Sequence, residues 1–206
     1  MPVPDLQGII QKQVKELIRL KDRVLPVKVG RAVRDSIREN FRKGGFYGAA
    51  WSPPMRIEQG FDSGPGYGTL LSGTNHLMMS TDYFPEPGRV TIQNTLVYAQ
   101  IHNDGGEITV TKRMKQFFWS QYYKKGLVGG MYERGEGKKS KQKAETLSKE
   151  AEFWRNMALK KVGSTIKIPQ RQFMGEHPEV DRIIREIINN ELSKFAQNGI
   201  NSRRSR

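Results

Sequence analysis

The chain has 206 residues, no cysteine, 27% charged residues and 35 lysines and arginines against 21 acidic residues, a formal charge of +14. Disulfides, zinc–thiolate sites and thiol catalysis are therefore excluded, and no run approaches the ~20 apolar residues of a membrane span. The length admits one domain with a real core, and the charge implies either an attraction to polyanions (nucleic acid, an anionic membrane, an acidic protein face) or a solubilising surface with basic tails.

Met1 to Leu6 lacks a basic region followed by an apolar core, so no signal peptide is expected and the product stays in the cytoplasm where it is made. Leu6, Ile9, Ile10, Gln13, Leu17 and Leu20 recur at helical spacing and predict a helix over about 5–24, capped by Asp5. Pro26 breaks that pattern. A second stripe, Val29, Val33, Ile37 and Phe41, predicts another helix ended by Gly44-Gly45. Its polar side carries Arg31, Arg34, Arg38, Arg42 and Lys43, a strongly positive face. Residues 46–68 are rich in Gly, Ser and Pro and predict an irregular excursion, its entry anchored by Trp51 and Pro53-Pro54.

A short turn then leads into a strand expected around 77–82, with a turn at 85–88 and an alternating strand over 89–94. Residues 96–103 predict a short helix ended by Asp104-Gly105-Gly106. A brief strand follows at 107–111. Thr111 opens a helix with Met114, Phe117, Phe118, Gln121 and Tyr122 as its stripe. Residues 126–140 read as a charged, glycine-rich linker. The next helix, over about 141–161, puts Ala144, Leu147, Ala151, Trp154 and Ala158 on one face. Residues 164–168 predict a strand stopped by Pro169. The clearest helix covers 179–196, with Val180, Ile183, Ile184, Ile187, Ile188, Leu192 and Phe195 on one side. Residues 201–206 form a basic tail, expected to fray.

This order implies an α+β fold, a small, mainly antiparallel sheet with helices packed on one face. Residues 1–44 form an N-terminal helical pair, 45–106 and 164–198 the core domain, 107–163 an inserted helical hairpin, and 199–206 the tail.

Catalytic chemistry finds little to hold. The histidines, His76, His102 and His177, are isolated from one another in sequence. His102, Asp104 and Glu107 have loose metal-ligand spacing, but two glycines intervene, and His102 reads better as a helix-end residue bonded to a neighbouring strand. Gly64, Gly66 and Gly68 have the wrong spacing for a dinucleotide loop, and Pro65 removes an amide donor. Ser72 lacks the Gly-x that precedes a nucleophile elbow and reads as a turn or cap serine. No pair of carboxylates stands out as acid and base.

Phe117, Phe118, Trp119, Tyr122 and Tyr123, with Lys112, Arg113, Lys115, Lys124 and Lys125 around them, form the densest aromatic cluster. Such a mixture suits a single-strand nucleic-acid platform. On a helix, however, Phe118 and Tyr122 share one face and Trp119 and Tyr123 the next, which suits packing on a core or partner helix, with Trp154 as the expected neighbour. Left exposed, such a patch marks a subunit interface.

Four pieces in order resemble the tailed-phage virion morphogenesis family, the tail-completion or head–tail joining proteins. They are Trp51-Ser52-Pro53; Leu70-Leu71-Ser72-Gly73 with Leu77; Tyr98-Ala99-x-Ile101-His102 with Gly105-Gly106; and Ile168-Pro169-x-Arg171-x-Phe173-Met174-Gly175. An amphipathic helix then closes the chain. The segments 114–123 and 154–158 resemble a helical pair inserted in one branch of the family. Two details depart from the pattern: Gln170 and Gln172 stand where a small residue and a proline usually flank that arginine, and the loop at 60–68 is long.

The resemblance implies a structural virion protein in the neck or at the head-proximal end of the tail, without cofactor, metal or catalytic residues. It implies a homo-oligomeric, six-fold ring that meets the head connector or adaptor and the tail tube or sheath proteins, with genomic DNA passing through the lumen and no membrane partner. Trp51, Tyr98, His102, Pro169, Arg171 and Phe173 would be architectural. Phe118, Trp119, Tyr122 and Trp154 would join them at interfaces, and Arg171 offers a fork for a carboxylate in its own chain or the next subunit. Two other readings are a cytoplasmic nucleic-acid-binding protein, which explains the charge but not the ordered pieces, and a hydrolase, for which no cluster speaks.

Overall fold

The computed structural model describes residues 6–58, 68–132 and 138–204. Within it the chain divides into two compact units. One draws on Met1–Ala50, Leu70–Ala99 and Gln172–Arg206, the other on Trp51–Thr69 and Gln100–Arg171.

The first unit opens with α1 (Leu6–Arg19), a π-helical turn (Leu20–Val24) and α2 (Leu25–Lys43). The expected helical pair is one helical rod, because Pro26 does not break it. Proline lacks an N–H and crowds the carbonyl four residues back. Here that residue, Asp22, lies in the π turn, where Leu25 N–H donates to Leu20 O across five residues. The wider turn absorbs the crowding, and Pro26 sits in the first turn of α2, where its missing donor is harmless. Gly44 ends α2 in the left-handed conformation (φ 70°), its N–H donating to Asn40 and Phe41 carbonyls.

The α2 stripe is core, with Val29, Val33, Ile37 and Phe41 all buried. It packs on a hairpin of β3 (Thr81–Glu86) and β4 (Arg89–Asn94), paired antiparallel from Thr81↔Asn94 to Glu86↔Arg89. Gly30 makes the approach possible, since a Cβ there would stand 2.4 Å from Tyr83 Cδ2 and 2.8 Å from Val90 Cγ2. The expected strand at 77–82 starts later, because His76–Met79 is a helical turn, α4, and β3 runs on through Pro85. Buried Thr81 and partly buried Asn94 hold this corner: Asn94 Nδ2 donates to Leu77 O (2.7 Å) and Thr81 Oγ1 (2.9 Å).

The strongly positive face expected on α2 is partly neutralised. Arg34 bridges Asp35 and Asp82 and lies over the Tyr83 ring. Arg38 donates to the Met79 and Thr81 carbonyls, and Arg42 pairs with Glu39.

The excursion after α2 is less irregular than expected. It forms a tight two-strand turn, β1 (Gly45–Phe46) with β2 (Ala49–Ala50), and one turn of helix, α3 (Met55–Glu58). The Gly64 and Gly66 part of the glycine loop lies outside the described residues. The closing helix α8 spans Pro178–Arg204 and takes in most of the tail expected to fray. Lys28 ties α2 to it through Glu191 at 2.6 Å.

In the second unit, α5 (Ala99–Asp104), whose first residue belongs to the first unit, leads into β5 (Gly106–Thr109), paired antiparallel with β6 (Thr165–Ile168). Between these strands stand α6 (Lys112–Tyr132) and α7 (Lys138–Leu159), so the helical hairpin is present and the linker expected at 126–140 is largely helix. Thr111 Oγ1 caps α6 by accepting Met114 N–H at 3.2 Å. Val110, Phe118, Ala158 and Ile166 form the core, with Trp119, Trp154 and Met157 packed around it. The class is α+β, and among the described residues the strands make three separate two-stranded antiparallel sheets in place of one.

Candidate functional site

Four of the residues singled out in the sequence, Trp51, His102, Pro169 and Arg171, lie on the stretches that Arg171 joins in the second unit. The turn after β6 brings Arg171 inward until it is 5% exposed. Its Nε donates to Ser52 O at 2.8 Å and its Nη2 to Pro53 O at 3.1 Å. Its backbone N–H donates to His102 O at 2.8 Å. One residue therefore fastens three stretches far apart in sequence: the segment after buried Trp51, the end of α5, and the exit from β6. Two of the donors of the guanidinium fork thus go to backbone carbonyls of its own chain.

Gly105 and Gly106 allow this closeness. Gly105 adopts φ 72°, and a Cβ there would lie 2.8 Å from Gln170 N. Gly106 adopts φ 141°, with Ile101 Cδ1 at 2.9 Å from the same imagined atom. The glycine pair of the sequence element is thus required both by backbone conformation and by the chain running alongside. His102 is half-buried, and its imidazole is held below the usual histidine range, first by burial and then by the charge of Arg171. Pro169 is exposed at the end of β6.

On the hairpin, Trp154 meets the aromatic cluster as its spacing implied. Its ring stacks on Phe118 (centroids 5.9 Å, 29°) and takes Phe117 edge-on at 5.8 Å. Phe118 is buried, while Phe117 is 53% and Tyr123 60% exposed. Trp119 stacks on Tyr123 and meets Tyr122 edge-on. Phe118 is core, Trp119 and Tyr122 are partly buried, and Phe117 and Tyr123 are surface.

In the first unit, Phe173 is wholly buried against Phe41 (centroids 5.1 Å), and Tyr98 is 39% exposed. His177, unassigned in the sequence, stacks on Tyr47 at 4.5 Å and accepts Glu179 N–H on Nδ1 at the start of α8. Ser72 lies in a turn closed by Asn75 N–H to Ser72 O.

Sequence periodicity predicted a helix here, and α1 is one. In the structure Leu6, Ile10, Val14, Leu17 and Ile18 are 44–63% exposed, and α1 buries no residue. Among the described residues no three His, Asp or Glu side chains gather as metal ligands, and no helix is long and apolar enough to cross a membrane.

The sequence model of the phage virion morphogenesis family matches residues 6–193. That span holds the Arg171 clamp, the aromatic hairpin and most of α8, and the chain belongs to that family. Its role is structural, in building the phage virion. No curated protein and no solved structure matches the chain.

Proposed function

We propose that this protein completes the tail or joins it to the head, forming part of the neck or the head-proximal end of the tail, and that it works by protein–protein assembly without turnover. The observation that carries this reading is the family match across both units. Exposed apolar surface supports it, since α1 and the outer half of the hairpin cluster leave large side chains uncovered, as a protein built to be covered by neighbours does. Copies would close into a ring, six-fold by family resemblance, between the head connector or adaptor and the tail tube or sheath. The lumen would admit genomic DNA. Electron microscopy of lysates from a phage carrying an early stop codon in this gene tests the placement. Filled heads and full-length tails lying apart are the expected result; intact particles, or heads that fail to package, would refute it.

A second reading rests on the charge. Fourteen lysines and arginines against five glutamates lie between Lys112 and Lys161, a surplus of nine within the hairpin region. On this reading the protein binds nucleic acid through that region, whether or not it also assembles. It predicts tight binding to random-sequence duplex DNA that weakens steeply with salt. Weak binding at physiological salt would reject it.

A further inference from the structure

The hairpin of β3 and β4 is a sheet of two strands, and its two edges are finished differently. The tight turn at Pro87-Gly88 makes Glu86 and Arg89 a hydrogen-bonded pair, and bonded pairs alternate from there. The backbone groups of Thr81, Tyr83 and Pro85 therefore point away from β4, and those of Val90, Ile92 and Asn94 away from β3. Each of the three on β3 has lost part of its pairing capacity. Arg38 Nη2 donates to Thr81 O at 3.0 Å, Asp82 Oδ1 accepts Tyr83 N–H at 2.9 Å, and Pro85 has no N–H to offer. On β4, among the described residues, no hydrogen bond reaches the outward N–H or C=O of Val90 or Ile92. The strand holds no lysine or proline, the usual guards of an open edge. Its one charge, Arg89 at its end, pairs with Glu86. Val90 and Ile92 lie on the α2 side, Val90 against Gly30, yet both are only partly buried. The apolar layer over α2 stops short at this edge.

We propose that the β4 edge pairs with β4 of a second copy of this chain, antiparallel about a two-fold axis at Ile92. A backbone edge is recognised by another extended backbone, so its occupant is a polypeptide. A copy cannot continue the sheet through the blunted β3 edge, so it joins β4 to β4. The register that engages all three outward residues puts Ile92 opposite the copy's Ile92 and Val90 opposite its Asn94, each pair exchanging both bonds. Thr91 then stands beside the copy's Gln93, and Arg89 beside its Thr95. No like charges meet, as a chain of charge +14 requires of a contact with itself. The two hairpins become one antiparallel sheet with an α2 from each copy on the same face, which extends the apolar layer past Val90 and Ile92. Such a contact links copies in twos. It therefore goes beyond the ring of the assembly reading, which needs head-to-tail contacts.

The test uses the full chain and two double variants at the outward-facing side chains of β4. Thr91→Lys with Gln93→Lys sets lysine opposite lysine at both crossings of the seam. Thr91→Glu with Gln93→Lys sets glutamate opposite lysine at both and keeps the native net charge. Gln93 is exposed and Thr91 partly so, and circular dichroism with thermal melting should show both variants folded. Sedimentation equilibrium should show the native chain associating, the first variant weakened about tenfold in dissociation constant, and the second restored. Hydrogen exchange of the Val90 and Ile92 amides should slow as the native chain is concentrated. A native chain that stays monomeric at its highest soluble concentration overturns the seam and leaves the edge to a strand of another virion protein. Equal association of the two variants overturns it too. Association with these two amides still exchanging freely leaves the ring standing without this seam, whereas intact particles from the stop-codon phage remove the assembly reading and leave the seam to these measurements.

Discussion

Replacing Arg171 with alanine is expected to destabilise the second unit by about 3 kcal/mol. The side chain is 5% exposed and makes two charge-assisted hydrogen bonds, at 2.8 and 3.1 Å, to Ser52 and Pro53 carbonyls. Bonds to a charged group contribute about 1.5–3 kcal/mol each, so about 3–6 kcal/mol is at stake. Ser52 and Pro53 are themselves exposed, and water can take over part of the carbonyls' demand, which places the loss near the lower end. For a protein of this size that is a fall in melting temperature of roughly 6–12 °C. Urea unfolding followed by tryptophan fluorescence reads it, Trp51 standing next to the clamped segment. Arg171→Lys should recover less than half of the loss, because one ammonium cannot reproduce the planar fork. A loss under about 1 kcal/mol for the alanine variant would refute the clamp.

Gly30→Ala should destabilise the first unit by about 1–2 kcal/mol, the overpacking against Tyr83 and Val90 outweighing the helix propensity gained; a higher melting temperature would contradict that packing. Trp154→Ala should remove about 2–3 kcal/mol from the hairpin, less than a fully buried tryptophan because the ring is only partly buried, and hydrogen exchange of α6 amides should speed up; unchanged protection would disprove the stacked arrangement. His102 is held below its ordinary value of 6.5 in the folded chain, so the unfolded chain takes up the extra proton as pH falls. The stability this contributes is complete above about pH 6.5 and declines as pH falls through that value toward the folded one. His102→Gln should therefore flatten the change in urea midpoint between about pH 7.5 and 5.5, and an unaltered slope would show that His102 is not its source.

Much of the fold was legible because its signals were local. The α2 stripe, the β4 alternation, the Thr111 cap and the α8 face each announce themselves within a dozen residues. Pro26 misled because a proline's effect depends on the turn preceding it, and nothing in Leu20–Val24 advertises a π turn. The α1 periodicity forecast its helix correctly, but spacing shows that a face wants cover and not whether the same chain supplies it. The Arg171 clamp lay beyond reach because its acceptors are backbone carbonyls 118 and 119 residues away, and carbonyls carry no sequence signature. The glycine pair at 105–106 was visible as an element, but its reason, the passage of Gln170 alongside, belongs to the tertiary structure.

The π turn between α1 and α2 also works as a phase setting. It inserts one residue beyond what a regular helix would use over the same rise, and each residue of an α-helix advances the wheel by about 100°. Everything before Leu20 is thereby rotated by about that angle relative to the face of α2 that enters the core. The length of this turn, more than the identity of its residues, sets the direction in which Leu6, Ile10, Val14 and Leu17 look out from the molecule. Deleting one residue there would leave α1 its composition and its helix, and aim it at a different neighbour.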